Sequence, residues 1–138
     1  MKVTLVLADF AEAINGKLYI MGGGWSRIRS NPSPTAIAIK IEVPWNDANR
    51  KHQLKVELLD SDSRPVLVPT PAGETPLQVT CEFEVGRAAG LPQGTPIDAT
   101  FAFNVSPIQL FPGQRYIWKL SINGESNDDW EAGFSVTN

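Results

Sequence analysis

The chain has 138 residues, of which 42% are hydrophobic and 20% are charged, a composition typical of a globular protein rather than a disordered one. The length favours one domain, predicted to span residues 1–138, and a core of that size needs no disulfide or metal. Twelve basic and 15 acidic residues give a net charge of −3. The basic surplus that nucleic acids and anionic membranes require is therefore missing, and neither is predicted as a partner.

The N-terminal segment and the single cysteine bear on where the protein resides. The apolar run before Asp9 is about six residues long, shorter than a signal peptide or a membrane span requires. Cys81, the only cysteine, excludes an intramolecular disulfide and suits a reducing compartment. We therefore predict a cytoplasmic protein whose first segment is a β-strand.

Alternating apolar and polar side chains predict that most of the chain is β-strand, with about eight or nine strands in all. In chain order the predicted strands are residues 3–8, 18–21, 37–43, 54–58, a short one at 66–68, 77–85, 99–105, 116–122 and 130–136. The pair Asn15-Gly16 predicts a tight turn. Proline-rich loops are predicted at 31–34, 69–73 and 91–96, and single helical turns at 9–14 and 47–51.

The last third of the chain carries a more specific motif. The segment from Leu110 to Tyr116, LFPGQRY, resembles the E–F corner of fibronectin type III and related immunoglobulin-like domains. The resemblance implies that Tyr116 hydrogen-bonds to upstream backbone as a tyrosine corner. The other side chains predicted to face a shared core here are Trp118, Leu120, Trp130 and Phe134. Together with the many short strands, the motif predicts an all-β fold, an antiparallel immunoglobulin-like β-sandwich.

Several segments also resemble a family of small uncharacterised bacterial and phage-encoded proteins. The matching segments are Ala8-Asp9, Asn15–Leu18, Met21–Trp25, Ile41–Trp45 and Leu54–Asp60, together with the C-terminal hairpin. The resemblance implies a one-domain β-sandwich of unknown function and supplies no catalytic residues. The chain departs from the family at Ser63, where a glycine is expected in the turn.

Nucleophilic catalysis requires a base beside the nucleophile, and the chain has one histidine, His52, and one cysteine, Cys81. Cys81 alternates in phase with Val79 and Phe83, so its side chain is predicted to point into the core, where a thiol is inert. His52 is predicted to be a polar surface residue at the start of a strand. No catalytic residue, no cofactor and no enzymatic activity are therefore predicted.

The aspartates offer a candidate metal site. Asp60 and Asp62 alternate as calcium ligands do, but aspartate is also an ordinary turn residue, and a plain turn without metal is the favoured interpretation. The residues that would join them in a C2-like site are Asp98, Asp128 and Asp129.

Trp25 and Trp45 are predicted to lie in loops, where two roles are open. An exposed tryptophan can anchor a protein interface or stack on a sugar ring. A buried one can plug the open end of a sandwich, and the burial preference of tryptophan favours this role. Both residues are candidates for partner binding.

The leading functional hypothesis is a non-catalytic immunoglobulin-like binding or accessory module that acts through protein–protein contacts, at its proline-rich loops or by pairing an edge strand. The alternative is a calcium- or carbohydrate-binding sandwich of the C2-like or lectin-like kind. A third hypothesis is a hydrolase with a carboxylate pair such as Glu82 and Glu84, about 7 Å apart on one face of a strand. Homo-oligomers formed by edge pairing are also open, and the side chains that would protect edges are Lys40, Lys55 and Lys119.

Overall fold

The structure, a computed structural model, describes residues 1–30 and 33–138. In this part the chain is all-β, and no helix in it is long and apolar enough to cross a membrane. The strands are β1 (Lys2–Ala8), β2 (Phe10–Ile14), β3 (Lys17–Met21), β4 (Arg27–Arg29), β5 (Thr35–Val43), β6 (His52–Asp60), β7 (Leu67–Thr70), β8 (Gly73–Pro76), β9 (Gln78–Phe83), β10 (Ile97–Val105), β11 (Arg115–Ile122) and β12 (Glu125–Thr137). A strand lies at each predicted position, and β2, β4 and β8 are additional. Of the predicted loop at 31–34, Asn31 and Pro32 lie outside the described residues.

Two sheets make up the body of the fold. One has the strand order β1-β5-β10 and the other the order β4-β12-β11-β6-β9. Neighbouring strands are antiparallel except β4, which runs parallel to β12. In the larger sheet Trp118 of β11 stands between Leu58 of β6 and Ala132 of β12. Inward-facing side chains therefore align across three strands.

The two sheets share one core because each turns its apolar positions toward the other. Ile37 and Ile39 of the three-stranded sheet belong to the same buried cluster as Val56 of the five-stranded sheet. Phe83 of β9 meets Phe101 of β10 across the sheets, with ring centroids 5.2 Å apart. Burying this apolar surface is the main stabilising contribution to the fold.

The corner before β11 has the hydrogen bond that the sequence predicts. The backbone N–H of Phe111 donates to the hydroxyl of Tyr116 over 3.2 Å, and Tyr116 is buried. Trp118, Leu120 and Phe134 are buried in the shared core as predicted, whereas Trp130 is half-buried and packs against its margin.

The prediction of a helical turn at 9–14 is wrong. Phe10–Ile14 is strand β2, which pairs with β3 across a two-residue turn. Asn15 and Gly16 have φ values of 51° and 74°, the left-handed pair that a type I′ hairpin turn requires. The turn thus imposes strand pairing on both sides of it. The other predicted helical turn, at 47–51, is displaced to a 3₁₀ helix at Trp45–Asp47.

The β2–β3 hairpin forms an extra layer on the outer face of the three-stranded sheet. Ala11 of the hairpin clusters with Ala36 and Ala38 of β5, which face away from the shared core and are nonetheless buried. Their small side chains let the two layers approach closely. Asn104 of β10 fastens the hairpin, because its Oδ1 accepts from the Ala11 N–H over 3.3 Å and its Nδ2 donates to the Ala11 carbonyl over 2.8 Å. The side-chain amide takes the place of a neighbouring strand.

The stretch 69–73, predicted as a proline-rich loop, belongs to a second hairpin. Strand β7 pairs with β8 from Leu67 opposite Pro76 to Thr70 opposite Gly73. The hydroxyl of Thr70 donates to the Gly73 carbonyl over 2.6 Å and closes the turn. Proline is compatible with such an isolated hairpin because the outward edge of each strand needs no N–H donor.

Ser63 occupies the left-handed position for which the family resemblance implies glycine. Its φ is 62°, and its N–H donates to the Asp60 carbonyl over 3.0 Å. Because a side chain at this φ is strained by about 1 kcal/mol relative to glycine, we expect Ser63→Gly to raise the free energy of unfolding by about 0.5–1 kcal/mol in urea denaturation. Ser61, which is not among the positive-φ residues, is the control. An equal gain from Ser61→Gly would contradict the explanation.

The lysines expected to protect sheet edges lie elsewhere, so that prediction is wrong. Lys40 is on β5, Lys55 on β6 and Lys119 on β11, and each of these strands has a neighbour on both sides. The outer strands of the two sheets are β1, β10, β4 and β9. Alternation shows which face a residue occupies and carries no information on the order of strands.

Candidate functional site

His52 is buried, so its prediction as a surface residue is wrong. Only 4% of it is exposed, and its ring lies 5.3 Å from that of Phe83. Nε2 donates to the Asp47 carbonyl over 2.9 Å, and Nδ1 accepts from the Asn123 amide over 3.0 Å. The Asn123 Oδ1 in turn accepts from the Gln53 N–H over 2.9 Å, which fixes the orientation of the amide and hence which ring nitrogen of His52 donates. Both ring nitrogens are occupied within the fold.

Cys81 points toward the core from β9 and is half-buried, opposite Leu54 of β6. Burial raises the pKa of the Cys81 thiol. A raised pKa disfavours the thiolate, which is the nucleophilic form. The environment of Cys81 therefore suits packing better than chemistry.

Glu82 and Glu84 both lie on the exposed side of the β9 segment. Oε2 of Glu82 accepts from Nε2 of Gln53 over 2.8 Å, and its other oxygen lies 3.7 Å from the ammonium group of Lys51. These contacts are typical of a solvated sheet face.

The structure keeps the candidate calcium ligands apart. Asp60 ends β6 opposite Tyr116, and its Oδ1 accepts from the N–H groups of Asp62 and Arg64 over 2.9 and 3.0 Å. It therefore caps its own turn. Asp98 is on the other sheet, 3.8 Å from the ammonium group of Lys40.

Asp128 and Asp129 lie in an irregular part of β12, where pairing with β11 shifts between Lys119 and Ser121. This shift in pairing lies about 13 Å along β11 from Tyr116, the residue that stands opposite Asp60. In the described residues no three His, Cys, Asp or Glu side chains come together as metal ligands.

Trp25 packs against the shared core at the end of β1 where the chain leaves the hairpin. The N–H of Gly24 donates to the Leu7 carbonyl over 2.7 Å. The indole of Trp25 meets Phe134 edge to face, with ring centroids 5.8 Å apart, and its Nε1 is buried without a partner in the described residues. This geometry suits a plug.

Trp45 lies at the opposite end, just after β5. Arg87 donates from Nε and Nη2 to the Trp45 carbonyl over 3.1 and 2.7 Å, and its guanidinium carbon lies 4.7 Å from the centre of the indole ring. The ring borders an open groove of about 690 Å³ lined by Met1, Lys2, Glu42, Pro44, Trp45, Asn46, Gln93, Gly94 and Pro96. Because β1 separates the two ends by about 17 Å, Trp25 and Trp45 cannot form one site. The carbohydrate alternative stays a prediction, and of these two tryptophans Trp45, beside its groove, suits it better.

The greatest concentration of exposed large hydrophobic side chains in the described residues lies on the β2–β3 hairpin, for which the sequence predicted no role. Residues opposite one another in the hairpin share a face, and Phe10 stands opposite Met21. Ile14 lies on this same face four positions after Phe10, and Tyr19 lies on it two positions before Met21. Glu12 and Lys17 share the face, and we call its four apolar residues the outer hairpin face. Their exposed fractions are 41% (Phe10), 45% (Ile14), 53% (Tyr19) and 67% (Met21).

Comparison with known protein families gives one match. The model of a family described as "Family of unknown function (DUF6941)" matches residues 3–132. The chain belongs to this family. No curated protein matches the chain.

Proposed function

We propose that this member of DUF6941 is a non-catalytic immunoglobulin-like module that binds another protein through the outer hairpin face. The observation that carries the proposal is the concentration of exposed apolar side chains on the hairpin. Five of the eight large hydrophobic side chains that are exposed in the described residues belong to it, and four of these five lie on the outer hairpin face. Soluble proteins seldom expose a contiguous apolar patch unless something binds there.

The strand order supports the immunoglobulin-like assignment. In the lettering of immunoglobulin domains, β1-β5-β10 corresponds to A-B-E, and β12-β11-β6-β9 corresponds to G-F-C-C′. Strand β11 is then F, and Tyr116 near its start makes the hydrogen bond of a tyrosine corner. In this assignment the β2–β3 hairpin is an insertion after strand A. It lies outside both sheets, where binding surface can be added without altering the core.

The free edge of β3 indicates how a partner chain would bind. Ile14 and Lys17 flank the two-residue turn and form a hydrogen-bonded pair, so Leu18 and Ile20 direct their N–H and C=O groups away from β2. Among the described strands β3 pairs with β2 alone. A partner presenting an extended segment would add to this edge as a third strand. Its apolar side chains on one side would continue the outer hairpin face.

The hairpin is held in place before any partner arrives. Ala11 is anchored by both polar atoms of the Asn104 amide, and the alanine layer beneath is fully buried. A surface ordered in advance loses little conformational entropy on binding. The occupied ring nitrogens of His52 and the raised pKa of the Cys81 thiol support the non-catalytic part of the proposal.

The test compares affinity-tagged wild type with the double variant Tyr19→Glu, Met21→Lys in cells that express the protein. Both side chains are exposed, so melting temperatures should agree because such surface substitutions change stability by only about 0.5 kcal/mol. We expect a protein that co-purifies with wild type to be recovered at least about tenfold less with the variant, a loss of about 1.4 kcal/mol in binding free energy. Binding of the purified partner to wild type by calorimetry completes the test.

Leu67→Glu is the matched control, since Leu67 is another exposed apolar residue and lies on β7. The control should retain the partner. Equal recovery with wild type and the hairpin variant would overturn the proposal, as would equal loss with the hairpin variant and the Leu67 control.

A further inference from the structure

Three arginines lie together on the outer face of the five-stranded sheet, near its β4 edge. Arg115 of β11 and Arg27 of β4 both stand opposite Ser135 of β12, so these residues form a row across three adjacent strands. The strand spacing puts the two arginine Cα atoms about 10 Å apart. Arg29 lies two residues further along β4, opposite Thr137 and on the same face. The parallel pairing of β4 with β12 brings Arg27 and Arg29 beside Arg115, although they are far from it in the sequence.

The arginine row faces away from the core. The residues that alternate with it on β12 and β4, Phe134, Val136 and Ile28, pack into the shared core. The row borders a cleft of about 500 Å³, and the residues that line it are Gly24, Trp25, Ser26, Arg27, Arg115 and Ser135. None of these lining residues is acidic, so the positive charge is not neutralised from within the cleft.

The arginines of the row are also without ion-pair partners in the described part of the chain. Five ion pairs occur there, and none of them includes Arg27, Arg29 or Arg115. The chain as a whole has more acidic than basic residues, so unpaired arginines at one place are not a consequence of composition. Each guanidinium keeps its five donors available in a planar fork.

We propose that this arginine cleft binds a phosphate-type dianion, the group carried by inorganic phosphate and by phosphate monoesters. The two guanidinium groups of Arg27 and Arg115 match the two charges of the dianion, and each can donate two parallel hydrogen bonds to its oxygens. The Ser135 hydroxyl between them supplies a further donor. A carboxylate carries one charge and satisfies one arginine only, so it should bind less tightly.

The proposal is independent of the protein-binding function of the hairpin. The arginine cleft is on the outer face of the five-stranded sheet, whereas the hairpin covers the outer face of the three-stranded sheet. Variants in one surface leave the other unchanged. Failure of either proposal is therefore distinguishable from failure of the other.

The experiment is a titration of the ¹⁵N-labelled protein with O-phosphoserine, inorganic phosphate, serine and acetate at low ionic strength, followed by amide chemical shifts. We expect saturable shifts at Ser26, Arg27, Arg115 and Ser135 with both phosphate compounds, weaker ones with acetate, and the weakest with serine, whose carboxylate is offset by its own ammonium group. Affinity should fall on going from pH 7.5 to pH 5, because the second pKa of a phosphate monoester is about 6 and the monoanion matches one arginine only. Equal affinity of the two phosphate compounds assigns recognition to the phosphate group, and tighter O-phosphoserine binding assigns it to a monoester.

The double variant Arg27→Gln, Arg115→Gln should weaken binding at least about tenfold, since it removes both charged donors. Arg64→Gln is the control, because Arg64 is an exposed arginine that does not line the cleft. Melting temperatures check that the variants are folded. Shifts that rise linearly without saturation, or an affinity that the double variant retains, would overturn the proposal.

Discussion

Replacing Phe134 with alanine is expected to lower the free energy of unfolding by about 3–5 kcal/mol. Phe134 is fully buried, and its ring is shared by Trp25 and Tyr116, each with a centroid distance of 5.8 Å. The alanine variant leaves a cavity between the rings of Trp25 and Tyr116. Because single domains are stable by only about 5–15 kcal/mol, the variant should lie near the limit of stability. Urea denaturation measures the change.

Phe111→Ala is the control for this prediction. Phe111 is 72% exposed and contributes its backbone N–H, rather than its ring, to the Tyr116 hydrogen bond. Its truncation should change stability by no more than about 0.5 kcal/mol. A loss below about 1 kcal/mol for Phe134→Ala would contradict the packing described here, because a truncated buried aromatic cannot cost so little unless the site collapses.

Removing the Asn104 amide is expected to release the hairpin selectively. Asn104→Ala leaves the N–H and C=O of Ala11 without partners, at a cost of about 2 kcal/mol. The loss should appear as faster amide hydrogen exchange in Phe10–Met21, by roughly 10- to 30-fold, because local opening of the hairpin becomes easier. Both hydrogen bonds of the Asn104 amide go to Ala11. Exchange in β6 and β11 should therefore change little.

Two further variants test the Asn104 contact. Asn104→Asp keeps an oxygen for the Ala11 N–H but sets a carboxylate oxygen against the Ala11 carbonyl, so hairpin exchange should accelerate at least as much as in Asn104→Ala. Asn127→Ala removes an exposed asparagine and should leave hairpin exchange unchanged. Uniform acceleration across all strands in Asn104→Ala would contradict a local anchoring role.

The strands of the core could be predicted because burial on one face leaves a period of two in the sequence. Leu54, Val56 and Leu58 show this in β6. His52 is in phase with them, so the same pattern places it inside. The surface assignment failed because it followed the polarity of imidazole, and a histidine whose two nitrogens are both hydrogen-bonded can be buried at little cost.

The surface proposed to bind a partner was partly predictable from the turn chemistry. Asn15-Gly16 requires a hairpin, and folding the flanking segments about it places Phe10, Ile14, Tyr19 and Met21 on one face. Which side of the hairpin is covered could not be predicted, because that depends on Asn104, distant in sequence. The arginine row could not be predicted either. Arg27 and Arg115 come into one row only because β4 and β11 both pair with β12.

The most direct measurement of the central claim is site-specific photo-crosslinking in cells that express the protein. A benzoylphenylalanine residue is placed at position 19 or 21 in the outer hairpin face, and at position 82 or 127 on exposed surfaces elsewhere. Binding through the hairpin predicts the same covalent adduct with a second protein from both hairpin positions and its absence from both control positions. An adduct formed from the control positions, with none from 19 and 21, would contradict the account.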